Sequence, residues 1–157
     1  MTAMSETSPA DAIPFPALLR WARAVYGGAI RAALAAAGRD DIPRNGIYVL
    51  AAISRSAVPL GQIVKELGAS KQAAGQLVDT LVLRGYLERG VDPDDRRRLT
   101  VTLSERGRAA AAVSKAAVDR IDADLATRVG PEQIAAARTV LLALVVPAPA
   151  QMTDPTQ

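Results

Sequence analysis

The chain of 157 residues contains no cysteine and no histidine. The first absence excludes disulfides, thiolate metal sites and thiol-based redox sensing. The second removes imidazole ligands, histidine-based catalytic triads and a histidine pH switch. A catalyst built from this chain would be left with carboxylates, Lys, Tyr or Ser alone. The chain is therefore expected not to be an enzyme, and no metal or cofactor is expected. Aromatic residues are scarce as well, at 3% (one Trp, three Tyr, one Phe), although half of the residues are hydrophobic. Alanine and aliphatic side chains with so few aromatics favour helix over sheet. No apolar run approaches the roughly 18 residues of a membrane span. The opening "MTAMSETSPADA" lacks the basic start and apolar centre of a signal peptide. The expected location is cytoplasmic. A formal charge of +3 and an isoelectric point near 9.7 give a mild basic excess, compatible with a local surface that faces phosphate.

Both ends are polar and proline-bearing. Residues 1–14 and 147–157 read as disordered arms. Between them the pattern predicts six helices and one β-hairpin, and no internal repeat. The first helix runs from about Pro16 to Ala37, with apolar residues such as Leu18, Val25, Ile30 and Leu34 at helical spacing. Its Gly27-Gly28 pair weakens it by about 1 kcal/mol per glycine and suggests a kink, or else a close approach at an interface or pocket. A second helix covers about Arg44 to Ser54, with Ile47, Val49, Leu50 and Ile53 inward. A short third, "LGQIVKELG", opens after Pro59. A fourth starts at Ser70, a good N-cap, and reaches Gly85. Two long helices follow the hairpin. One starts at Ser104, with Val113, Ala117, Ile121, Leu125 and Val129 inward, and the other starts at Pro131 and carries Ile134, Leu141, Leu142 and Leu144.

The segment that demands an explanation is "RGVDPDDRRRLTVTL", residues 89–103. Leu99, Val101 and Leu103 alternate with Thr100 and Thr102, the signature of a half-buried strand. Before them, Asp92 and Pro93 favour a turn, and Arg96, Arg97 and Arg98 crowd together beside Asp92, Asp94 and Asp95. An Asp that pins an Arg orders it for insertion into a minor groove. The hairpin follows two helices joined by a tight Gly-containing turn, the helix-turn-helix pattern. A hairpin attached to that pattern makes a winged helix. The second helix of the pair presents Ser70, Lys71, Gln72, Gly75 and Gln76 early. Gln can contact adenine through two hydrogen bonds, Lys can reach guanine or phosphate, and the N-terminal part of such a helix meets base edges. The blander reading of each feature is a solvated helix face and a solvated charged turn.

"PLGQIVKELGASKQAAGQLVDTLVLRGYLERGVDPDDRRRLTVTLSERGRA" resembles the DNA-binding core of the MarR family of bacterial transcriptional regulators, and its second half, from Arg84 on, is the most specific part. The resemblance extends less specifically over about residues 15–146. It implies a mainly α winged helix-turn-helix protein, a homodimer paired through its terminal helices, and a repressor of a neighbouring gene released by a small aromatic or anionic effector. The implied organisation is a winged helix at 43–103 flanked by dimerisation helices at 15–42 and 104–146. The family's wing pattern of Asp, any, Arg, Asp, any, Arg falls on Asp92 to Arg97, and Asp94 departs from it. Arg96 and Arg97 are then the groove-entering residues and Asp95 their orienter. Family ligands bind between the dimerisation helices and the winged core, which implicates Arg20 (or Arg23), Trp21, Tyr26 and Tyr48. A two-fold dimer would place two recognition helices roughly 34 Å apart on a pseudo-palindromic double-stranded DNA site. The alternative is a winged-helix protein-interaction module without specific DNA binding, in which Arg96 and Arg97 would not affect DNA affinity.

Overall fold

The computed structural model describes residues 12–54, 58–59, 70–91 and 99–146. Its elements are α1 (Phe15–Ala36), α2 (Gly46–Ile53), β1 (Val58–Pro59), α3 (Lys71–Leu83), β2 (Leu87–Val91), β3 (Leu99–Leu103), α4 (Glu105–Val129) and α5 (Pro131–Val145). The fold is mainly α with a small antiparallel sheet, as expected. Five helices fall among the described residues. The expected third helix, the wing tip 92–98 and most of both terminal arms lie outside them.

The chain divides into two compact units, residues 1–118 and 119–157, with the division inside α4. The first unit holds the main core. Leu34 of α1, Ile47, Val49, Leu50 and Ile53 of α2, Val78 and Leu81 of α3, and Tyr86, Leu87, Val101 and Ala110 form one buried cluster. All four apolar positions expected to face inward on α2 do so. α1 is continuous through Gly27 and Gly28. Gly27 is a buried point of close approach.

β2 and β3 pair antiparallel from Leu87↔Leu103 to Val91↔Leu99. β1 adds an unforeseen third strand, in the order β1-β3-β2, through Val58↔Val101 and Pro59↔Thr100. Proline is tolerated there because an edge strand can leave one side of its backbone unpaired. The residue expected to open a helix therefore belongs to a sheet. α3 ends at Gly85, whose φ of 73° lets the Tyr86 amide donate back to the Leu81 carbonyl at 2.9 Å, a left-handed helix cap.

Tyr86 is fully buried, and its hydroxyl donates to Asp41 Oδ1. Arg106 Nη2 donates to both Asp41 oxygens and to the Tyr86 oxygen, each at 3.0 Å, while its guanidinium lies 4.4 Å from the Tyr86 ring centroid. The loop before α2, the start of β2 and the first turn of α4 are thus tied at one point. The Tyr86 hydrogen bond, and then the Arg106 charge, hold the Asp41 carboxyl below the usual carboxylate range against the opposing effect of burial. Burial, and then the bond to Asp41, push the Tyr86 phenol up.

Tyr86→Phe should lower stability at pH 7 by about 1–2 kcal/mol, a charge-assisted bond discounted for the partial exposure of Asp41. A depressed carboxylate stabilises the fold above its unfolded value and loses that contribution as pH falls through the folded one. The deficit of the variant should therefore shrink below about pH 4. Urea unfolding at pH 7 and pH 3 measures this, and an equal deficit at both would contradict a charge-assisted bond.

The second unit contains the end of α4 and all of α5. Gly130, with φ 87°, and Pro131 separate the two helices. Arg138 donates to Asp122 at 3.3 Å, and Arg128 pairs with Asp124 one turn away. No residue of α5 is buried. Leu141, Leu142 and Leu144, and Val129 at the end of α4, are exposed, although their spacing marks them as core positions.

Candidate nucleic-acid interface and effector cavity

α3 is held by one face and offers the other. Ala74, Val78 and Leu81, at i, i+4 and i+7, are buried. Ser70 caps the helix, its Oγ accepting from the Ala73 amide at 3.2 Å, as its position before "KQAAGQL" predicts. The outward face carries Lys71, Gln72 and Gln76, all exposed, and half-buried Gly75. Gln72 and Gln76 are one turn apart and therefore neighbours on the surface. The structure brings the five expected α3 residues together on one helix start. Asp95, Arg96 and Arg97 lie outside the described residues, but the Val91↔Leu99 pair fixes where the hairpin tip leaves and rejoins the sheet. An ion pair from Arg89 to Asp79 links β2 to α3. Both side chains are at least half exposed, so its contribution to stability is small.

A larger feature lies between α1, α2 and the first turns of α4. It is a cavity of about 610 Å³, a volume typical of small-molecule sites. Its walls are Ile30, Ile47, Tyr48, Ala51, Leu103, Ala111, Ala112 and Val118, with Ser54, Ser114, Arg108 and Lys115 supplying polarity. Both serine hydroxyls are spent on their own helices, Ser54 on the Ala51 carbonyl and Ser114 on the Ala110 carbonyl. The cavity is therefore apolar with two cationic side chains, one of which, Arg108, also donates to the Leu103 carbonyl. Runs of alanine in α4 create this space. In the sequence, alanine signals only helix and close packing, and nothing in the spacing of Arg108 and Lys115 marks them.

The four residues expected at a ligand site separate. Tyr48 lines the apolar cavity. Arg20 lines a smaller concavity on the other side of Tyr48, together with Arg23, whose Nε donates to the Tyr48 oxygen at 3.1 Å. Trp21, 49% exposed, and half-buried Tyr26 line none of the described cavities. At helical spacing Trp21 sits about 120° round α1 from Gly27, on the side of exposed Leu18 and Val25.

Residues 40–98 match the model of the MarR family. Over that segment the chain is similar to the MarR family. The solved structures agree over a longer span. Reduced MarR from E. coli superimposes with a TM-score of 0.65 at 23% identity, covering 85% of this chain and 98% of that one. CouR, a transcriptional repressor solved on a 23-mer DNA duplex, gives 0.68 at 20% identity, covering 91% and 100%. A MarR-family protein of Mycobacterium tuberculosis, solved with salicylic acid, gives 0.59 at 26% identity, covering 86% and 98%. No curated protein matches the chain by sequence. Among the described residues, no helix of this MarR-like fold is long and apolar enough to cross a membrane.

Proposed function

We propose that the protein is a homodimeric, sequence-specific transcriptional regulator, a repressor released by a small molecule. In this reading α3 and its C-terminal turn (70–85) enter the major groove of a pseudo-palindromic operator, and the 92–98 wing enters the minor groove. The observation that carries it is the division of α3: three apolar residues seat it in the core, and Lys71, Gln72 and Gln76 stand outward at its capped N-terminal end. Hydrogen-bonding side chains at that end are what base readout requires. The CouR structure, bound to DNA, supports the same use of the fold.

Residues 43–103 are the DNA-binding part, and 15–42 with 104–146 the dimerising part. The exposed stripe of Leu18, Trp21 and Val25 on α1, and separately the exposed Leu141, Leu142 and Leu144 of α5, support a second copy as partner, because apolar faces of this extent are normally covered. The effector belongs in the 610 Å³ cavity, an apolar molecule whose anionic end meets Arg108 or Lys115. The salicylic acid complex of the mycobacterial relative supports a ligand of that kind.

Gln72→Ala and Gln76→Ala should each lower discrimination between operator and altered sites by about 1–3 kcal/mol, with little effect on non-specific affinity. Competition binding to single-base operator variants measures it, with two protomers expected per site. An unchanged base preference in both variants would remove α3 from the readout and leave the protein-interaction reading.

A further inference from the structure

On the far side of Tyr48 from the apolar cavity lies a second concavity, of about 210 Å³. Its chemistry is of another kind. Arg20, Arg23 and Arg31 project from α1, Arg44 and Asn45 come from the start of α2, and Tyr48 forms the wall. The stripe Arg20, Ala24, Gly27, Arg31 follows i, i+4, i+7 and i+11, so two arginines flank a floor of two small residues. No acidic residue lines the site, and among the described residues no ion pair engages Arg20, Arg31 or Arg44. Asn45, at the N-cap of α2 with no side-chain capping bond, also lines the concavity. Four guanidinium groups around one concavity repel one another, and an anion between them relieves that repulsion. The volume is below the roughly 300 Å³ at which small-molecule pockets begin, which suits a compact ion rather than an aromatic effector.

We infer that this arginine cradle binds a small, multiply charged oxyanion of the phosphate class, at a site separate from the effector cavity. Planar guanidinium forks match phosphate oxygens two at a time, and the cradle offers four of them. Tyr48 is common to both sites. Its oxygen accepts from Arg23 at 3.1 Å and its ring lies 4.8 Å from that guanidinium, so an anion that engages Arg23 acts directly on a wall of the effector cavity.

The test uses the full chain without DNA, so that its outcome is independent of the operator reading. Inorganic pyrophosphate is titrated calorimetrically at fixed ionic strength set with sodium chloride. Saturable binding of one ion per protomer is expected, weakened about tenfold or more by Arg31→Gln or Arg44→Gln. Gly27→Ala provides a variant that folds at least as well, since alanine favours helix. The added carbon would sit 3.3 Å from Arg31 Nη1 and 3.9 Å from the Tyr48 oxygen, so it should weaken pyrophosphate while preserving the fold. Absence of saturable binding at millimolar pyrophosphate would overturn the proposal, as would binding indifferent to both arginine substitutions.

Discussion

Gly107→Ala should remove about 3 kcal/mol or more of stability. A β-carbon at this position would overlap the Tyr86 carbonyl oxygen and lie 3.2 Å from Leu103 Cδ2. The obstacle is backbone, and that backbone is already engaged: the Tyr86 carbonyl accepts from the Ser104 amide at 3.1 Å. Ser104 in turn caps α4, its Oγ accepting from the Gly107 amide at 3.0 Å and donating to the Gly85 carbonyl. Relief would require the first turn of α4 to lift away from β2, breaking the cap and the contacts of Arg106 with Asp41 and Tyr86. Against a total of about 5–15 kcal/mol, the midpoint of thermal unfolding should fall by roughly 10 °C or more. Gly75→Ala is the control of opposite sign. Nothing lies within 4 Å of its added carbon, so helix propensity should raise stability by up to about 1 kcal/mol. A midpoint for Gly107→Ala within about 2 °C of the parent would contradict the packing described for α4.

The double substitution Arg96→Ala/Arg97→Ala should weaken operator binding by at least about a hundredfold near physiological salt and flatten its salt dependence. Two cations per protomer are lost, hence four per dimer, and each contributes about 0.9 to the slope of log affinity against log salt. The slope should become shallower by up to about 3.6. The effect should be similar on operator and unrelated DNA where the arginines meet phosphate. It should be larger on operators with a narrow minor groove, whose potential attracts inserted arginine. Both substitutions fall in sequence between the paired residues Val91 and Leu99, so the strand pairing should tolerate them. A salt slope equal to that of the parent would mean that the wing does not touch DNA.

How much of this could be read from the chain depended on the distance over which each feature is encoded. α2 and α3 were legible because their apolar residues recur every turn and Ser70 announces its own cap. The hairpin was legible because Leu99, Val101 and Leu103 alternate with threonine. β1 was not, because two residues cannot display a period, and Pro59 reads locally as a helix start. The tie between Asp41, Tyr86 and Arg106 joins residues 45 and 20 positions apart, and no local pattern records such a partnership. The apolar cavity was invisible for a different reason: it is made by what alanine lacks. Trp21 attracted attention as the single tryptophan, yet its place on α1 turns it away from both cavities, toward the stripe of Leu18 and Val25. The leucines of α5 have the spacing of a core and, in this chain, the exposure of a surface.

The central claim is specific DNA recognition, and fluorescence anisotropy tests it most directly. The protein would be titrated against labelled DNA from upstream of its own gene and against a shuffled fragment of equal composition, across a salt series. The account predicts tight, steeply salt-dependent binding of the upstream fragment, with a preference over the shuffled one that persists as salt rises. Weak binding, equal for both fragments at every salt concentration, would contradict it.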